Sequence, residues 1–136
     1  MVKNKIHKIL LVEDDSICSS AMKLLLEFKG YIASIACNGL DAITMAASEK
    51  FDMILMDYQM PVMNGIEAAK SIRETNKDVI IISISSRNDR EYINECQACG
   101  MNSHIPKFFI VEAIENNLLE AGLDSLNAGG RGIMKE

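Results

Sequence analysis

The chain has no apolar run approaching the ~18 residues that a membrane span requires, which excludes insertion into a bilayer. The N-terminal stretch MVKNKIHKILLVEDD passes from a short apolar run directly into acids. It lacks the hydrophobic core and cleavage site of a secretory signal, so a cytoplasmic address is expected. There is no cluster of five or more Lys and Arg, and the net charge is −5. The electrostatic footprint of a nucleic-acid binder is therefore missing, and no direct contact with nucleic acid is expected. The four cysteines, Cys18, Cys37, Cys96 and Cys99, are too few and too irregularly spaced for a secreted disulfide framework and read as reduced thiols. What remains is a chain of 136 residues, 49% hydrophobic and 24% charged, the composition of one globular domain able to bury a substantial core.

Short aliphatic runs alternate with longer stretches whose apolar residues recur at three and four. The runs are IHKILLV (6–12), YIASIA (31–36), MILM (53–56), VIIISI (79–84) and a weaker SHIP (103–106). This alternation predicts βαβ units and a parallel sheet, and the central runs, apolar at every position, suit strands covered on both faces. A doubly wound five-stranded α/β sandwich follows. Ile17, Ala21, Leu24, Leu25 and Phe28 predict the buried stripe of a first helix ended by Gly30. A neighbouring row, Cys18, Met22 and Leu26, either widens that stripe or forms an exposed contact patch. Leu40, Ile43 and Ala47 mark a second helix behind Asn38; Ile66, Ala69 and Ile72 a third behind Asn64; Ile110, Ile114 and Leu118 a fifth. The fourth spans roughly 88–99, with Ser86 or Asn88 as candidate cap.

In doubly wound sheets the chemistry sits outside the carboxyl ends of the strands. Asp57 ends the third strand there, and the first strand runs into Glu13, Asp14 and Asp15. With the first and third strands adjacent, Glu13 and Asp14 approach Asp57. Carboxylates so close raise one another's pKa unless a cation sits among them, and an all-oxygen site suits Mg2+, or Mn2+, better than zinc. Ser85 and Lys107 end two further strands on the same edge. A hydroxyl and an ammonium facing a carboxylate and a metal suit a phosphoryl group, with Asp57 the nucleophile that forms an aspartyl phosphate.

Taken together, ILLVEDD, MDYQMPVMNG, the strand-end Ser85 and Pro106-Lys107 resemble the receiver domain of two-component response regulators, from about Lys8 to Leu119. The resemblance implies the flavodoxin-like (βα)5 fold with strand order 2-1-3-4-5. It implies that Asp57 accepts phosphate from a phosphohistidine, that Asp14 binds Mg2+ directly and Glu13 through water, and that the Gln59 backbone carbonyl is a further metal ligand. Ser85 would grip a phosphoryl oxygen, Lys107 would pair with Asp57 or its phosphate, and the surface of the fourth helix, fifth strand and fifth helix would change. Asp15 fits better as the opening of the first helix. The implied partners are a sensor histidine kinase or histidine phosphotransfer protein and a downstream effector protein, met as a monomer or a transient phosphorylation-dependent dimer. ECQACGMNSHIPK and MDYQMPVMNGIEA look like receivers of hybrid sensor kinases, which sets a phosphorelay fragment beside a stand-alone regulator. Residues 1–121 form the receiver, and 122–136 read as a flexible tail or linker stub too short to fold alone.

Two departures from the family pattern stand out. Lys107 is followed by Phe108 where receivers usually have proline with a cis bond, which puts the placement of the lysine in question. His104 stands where receivers often carry a Tyr or Phe whose rotamer follows phosphorylation; a histidine switch there would add sensitivity between about pH 5 and 8. Cys96 and Cys99 form a CxxC at a helix C-terminus without further metal ligands, which favours packing over redox or zinc chemistry. A metal-dependent phosphatase using the same aspartate would need a second aspartate two residues on, where this chain has Gln59. A partner-binding pseudo-receiver would lack one of the acidic or lysine positions, all of which are present.

Overall fold

The computed structural model describes residues 6–119; the tail expected at 122–136 lies outside them. In chain order the elements are β1 (Lys8–Val12), α1 (Ser16–Phe28), β2 (Ile32–Ala36), α2 (Gly39–Ser48), β3 (Met53–Asp57), α3 (Gly65–Thr75), β4 (Ile80–Ser85), α4 (Arg90–Ala98) and β5 (Ser103–Pro106), followed by a single 3-10 turn (Lys107–Phe109) and α5 (Ile110–Glu115). All strands pair in parallel, in the order β2-β1-β3-β4-β5. None of the described helices is long and apolar enough to cross a membrane.

Successive strand residues point to opposite faces, so each central strand feeds two cores. Leu10, Val12, Ile54, Met56 and Ile81 pack with α2, α3 and α4, whereas Ile9, Leu11, Met53, Leu55, Ile82 and Ile84 pack with α1 and α5. The sheet's continuous apolar runs are explained by this double coverage. The register sets Asp57 beside Ile84, and Val12 beside Met56, so the residues that follow β1 and β3 leave the sheet at one level.

The helix starts follow the capping rules. Asp15 accepts from the Ile17 and Cys18 amides, Asn38 caps α2, and Asn64 with Glu67 forms a reciprocal capping box for α3. The cap of α4 is Asp89, bound by the Tyr92 amide, in place of Ser86 or Asn88. A helix entered at Asp89 leaves Ser86 to Asn88 as the loop between the end of β4 and α4.

The buried face of α1 differs from the expected stripe. Met22 and Leu26 are in the core and Cys18 is half-buried, while Ile17, Leu24 and Phe28 are 80%, 69% and 86% exposed and Ala21 is exposed with them. The helix carries two apolar rows, and periodicity alone cannot choose between them. The cap at Asp15 and the short link from β1 fix its rotation. Similarly, α2 buries Ala42 and partly Ile43, leaving Leu40 and Ala47 outside.

This rotation makes opposite predictions for neighbouring leucines. Leu26→Ala should cost about 2–4 kcal/mol in urea unfolding, because it opens a cavity, whereas Leu24→Ala should stay within about 0.5 kcal/mol. Equal losses would mean that α1 is rotated differently.

Candidate functional site

Four of the residues marked out in the sequence meet at the carboxyl edge of β1, β3 and β5. One carboxylate oxygen each from Glu13, Asp14 and Asp57 lie within 4.8 Å of one another. Glu13 and Asp57 are buried and Asp14 is exposed at the rim. Lys107 reaches in from the turn after β5, its Nζ 3.2 Å from Glu13 Oε1 and 3.4 Å from Asp57 Oδ2. Asp15, by contrast, is turned to its capping role.

Three carboxylates against one ammonium leave the cluster under-neutralised. Burial first, and then the Glu13 charge, push the Asp57 carboxyl up to about 6, against the opposing pull of Lys107 and the Tyr58 N–H. Burial alone would depress the Lys107 ammonium, but Asp57 and Glu13 outweigh it and raise the group. The all-oxygen donor set and surplus negative charge fit a hard divalent cation such as Mg2+. Gln59, two residues beyond Asp57, is exposed in the loop.

The backbone around Asp57 is held tightly. The Tyr58 N–H donates to Asp57 Oδ1 at 2.8 Å, and the Gly65 N–H donates to the Tyr58 carbonyl at 2.9 Å. A Cβ on Gly65 would lie 2.3 Å from the Asp57 carbonyl oxygen, so the first turn of α3 packs directly on the backbone of Asp57. Between them Val62 takes φ 73°, and the Met63 N–H returns to the Pro61 carbonyl at 2.7 Å. This γ-turn places a β-branched residue in a region it disfavours, a strain of about 1–3 kcal/mol carried by the loop beside Asp57.

No described peptide bond is cis. Pro106 closes β5, Lys107 opens the 3-10 turn, and Phe108 points into solvent. The lysine thus reaches both acids without proline after it.

Ser85 ends β4 buried, and its Oγ accepts from the Arg87 N–H at 2.9 Å. His104 is fully enclosed between β5 and α4. Its Nδ1 lies 3.0 Å from Ser83 Oγ, which in turn lies 2.7 Å from the Tyr92 hydroxyl, while its Nε2 has no hydrogen-bond partner among the described residues. Burial lowers its pKa to about 4, so the folded-state ring is neutral across the pH 5–8 interval in which an exposed histidine would titrate. Ser83 and Tyr92 were not singled out from the sequence. The available signal was a serine inside an otherwise aliphatic central strand, a buried hydroxyl that needs a partner. All four cysteines are free, with Cys96 and Cys99 buried in the core as packing residues.

The pattern of the response regulator receiver domain matches residues 9–119, and the chain belongs to that family. Over 116 residues it is 35% identical to hybrid signal transduction histidine kinase B of Dictyostelium discoideum, a match that covers 76% of this chain and 6% of the kinase. It spans just under half the length of the mycobacterial response regulators that it also matches. Among solved structures it is similar to the chemotaxis protein CheY4 of Vibrio cholerae, with a TM-score of 0.79, 28% identity, and coverage of 85% of this chain and 98% of that one. It is also similar to a chain of the Saccharomyces cerevisiae complex between the histidine phosphotransfer protein Ypd1 and the receiver domain of Ssk1, with a TM-score of 0.78, 25% identity, and coverage of 93% and 94%. Receiver domains bind Mg2+ at an acidic pocket, and the Glu13, Asp14 and Asp57 cluster is the corresponding feature here.

Two predictions test this geometry. Gly65→Ala must move α3 away from the Asp57 carbonyl and should cost more than about 2 kcal/mol in chemical unfolding. A carboxyl whose folded pKa is raised favours the fold while protonated. That contribution is complete below the unfolded value of ~3.9 and is lost as pH rises through about 6. Without divalent cation, Asp57→Asn should therefore melt a few degrees above wild type at pH 7.5, on the order of 1 kcal/mol, with the gap closing by pH 4. A gap independent of pH would contradict the strain assigned to Asp57.

Proposed function

We propose that the chain is a phosphoacceptor switch in which Asp57 receives a phosphoryl group from a phosphohistidine donor. The observation that carries this reading is the Glu13, Asp14 and Asp57 cluster with Lys107 set against it. An Asp57 carboxylate oxygen attacks phosphorus, the P–O bond forms as the donor's P–N bond breaks, and the electron pair returns to the donor imidazole, which takes up a proton. The product is a mixed anhydride, which water later hydrolyses back to carboxylate and phosphate. Asp14 and Asp57 would hold Mg2+, with the Gln59 carbonyl and, through water, Glu13. When bound, the ion neutralises charge on the transferring phosphoryl oxygens. Lys107, held against Glu13 and Asp57, would supply a fixed positive charge, and the Ser85 hydroxyl would donate to a phosphoryl oxygen.

Rearrangement of Ser85 and of the loops after β3 and β4 then reaches the surface of α4, β5 and α5, with Ser85 and His104 as the switch positions. That surface would act on a downstream effector protein. A sensor histidine kinase or histidine phosphotransfer protein is the donor this reading needs, in the cytoplasm. The exposed row Ile17, Ala21, Leu24 and Phe28 supports a helical donor: its spacing of four, three and four is that of a seam between two aligned helices, and it begins beside the acid cluster. The likeness to a hybrid kinase supports a relay receiver as the setting.

The test is intact mass after incubation with acetyl phosphate and Mg2+. Wild type should gain one phosphoryl mass, abolished by EDTA and by Asp57→Asn and slowed at least about tenfold by Lys107→Ala. A folded wild type that gains nothing, or an Asp57→Asn variant that gains as much, would overturn the assignment.

A further inference from the structure

Arg87 lies in the loop between β4 and α4 and ties together three parts of the molecule. Its guanidinium sits 5.5 Å from the centre of the Tyr58 ring and 4.9 Å from the centre of the Tyr92 ring. The two rings meet edge to face at 5.1 Å. The guanidinium is paired with Asp89, Nε to Oδ1 at 3.3 Å and Nη2 to Oδ2 at 3.1 Å, and Asp89 is the cap of α4. Its backbone N–H is the donor to Ser85 Oγ.

Each end of this arrangement has a defined chemical role. Tyr58 is the residue whose N–H orients the Asp57 carboxylate. Tyr92 is the buried anchor of α4, joined through Ser83 to His104 and in edge contact with the histidine ring at 5.6 Å. A single cation thus bridges the acceptor loop to the helix whose movement would signal. Its own backbone is held by the hydroxyl that a phosphoryl group would recruit.

We propose that Arg87 is a positioning residue that latches the unphosphorylated conformation, clamping the acceptor loop to α4 until Ser85 turns toward a group on Asp57. This rests on the phosphoacceptor reading and adds its regulation. Turning Ser85 Oγ takes the acceptor from the Arg87 N–H, so the loop shifts and the guanidinium leaves the two rings. The clamp joins the loop after β3 to the start of α4, whereas the buried contacts of Ser83, Tyr92 and His104 tie α4 to β4 and β5 and do not involve the loop after β3.

A residue that stabilises only the unoccupied state lowers the population of the binding-competent one, and its removal tightens apparent affinity by the same factor. Stacking on one ring is worth a factor of about two to five, so loss of both contacts and the ion pair should give roughly three- to tenfold.

The experiment uses the full chain and beryllium fluoride with Mg2+, a stand-in for the phosphoryl group on an aspartate. It titrates wild type, Arg87→Ala, Arg87→Lys and Tyr58→Leu, and follows amide hydrogen exchange in α4 with α2 as internal control. Arg87→Ala should bind beryllium fluoride about three- to tenfold tighter and exchange α4 amides faster by a similar factor without ligand, with α2 unchanged. Arg87→Lys should fall between it and wild type, and Tyr58→Leu should shift in the same direction with the Asp89 cap intact. Unchanged or weaker binding by Arg87→Ala, or α2 exchange rising in step with α4, overturns the latch. A wild type that neither binds beryllium fluoride nor gains phosphoryl mass overturns the phosphoacceptor reading and the latch with it, whereas one that does both while Arg87→Ala binds no tighter overturns the latch alone.

Discussion

Everything at the working edge of this domain depends on three carboxylates being held at the ends of two adjacent strands with a single ammonium to offset them. The parallel sheet brings them together: β1 and β3 are neighbours, and with Val12 set against Met56 the next residues, Glu13 and Asp57, come level with each other. The hydrophobic cores on both faces make the register non-negotiable, since a shift of one residue would turn aliphatic side chains to the wrong side. The stability of the sheet is thereby used to hold an electrostatically unfavourable cluster. Within it the Asp57 carboxyl is raised by its burial and by the Glu13 charge.

The same cluster explains the surrounding backbone. Gly65 allows α3 to begin against the Asp57 carbonyl, Tyr58 fixes one carboxylate oxygen, and the strained turn at Val62 closes the loop between them. On the other side, Lys107 enters from a 3-10 turn that starts at the end of β5. Its amine reaches both buried acids with Phe108 in the place of the family's proline, from a turn whose described peptide bonds are all trans.

Much of this was legible in the sequence because the signals were redundant. The five strands, the capping residues Asn38 and Asn64 and the strand-end acids follow from local patterns, while the strand order and the place of Asp15 outside the acid cluster came with the family resemblance. The rotation of α1 was not, because Ile17, Ala21, Leu24 and Phe28 make as regular an apolar row as Cys18, Met22 and Leu26. Only the packed helix shows which row faces β1 and β3. Nor was the buried seam of Ser83, Tyr92 and His104, since a hydrogen bond between residues on β4, α4 and β5 leaves no periodic trace. His104 illustrates the difference: its identity suggests titration near neutrality, while its enclosure keeps it neutral there.

The account's central claim is that the acid cluster is a site for one hard divalent cation. Calorimetric titration of Mg2+ into wild type, Asp14→Asn and Asp57→Asn tests it most directly. One ion per chain in wild type, with affinity reduced at least about tenfold in either variant, is the predicted result. Binding that is absent from the folded wild type, or that survives both substitutions unchanged, would contradict it.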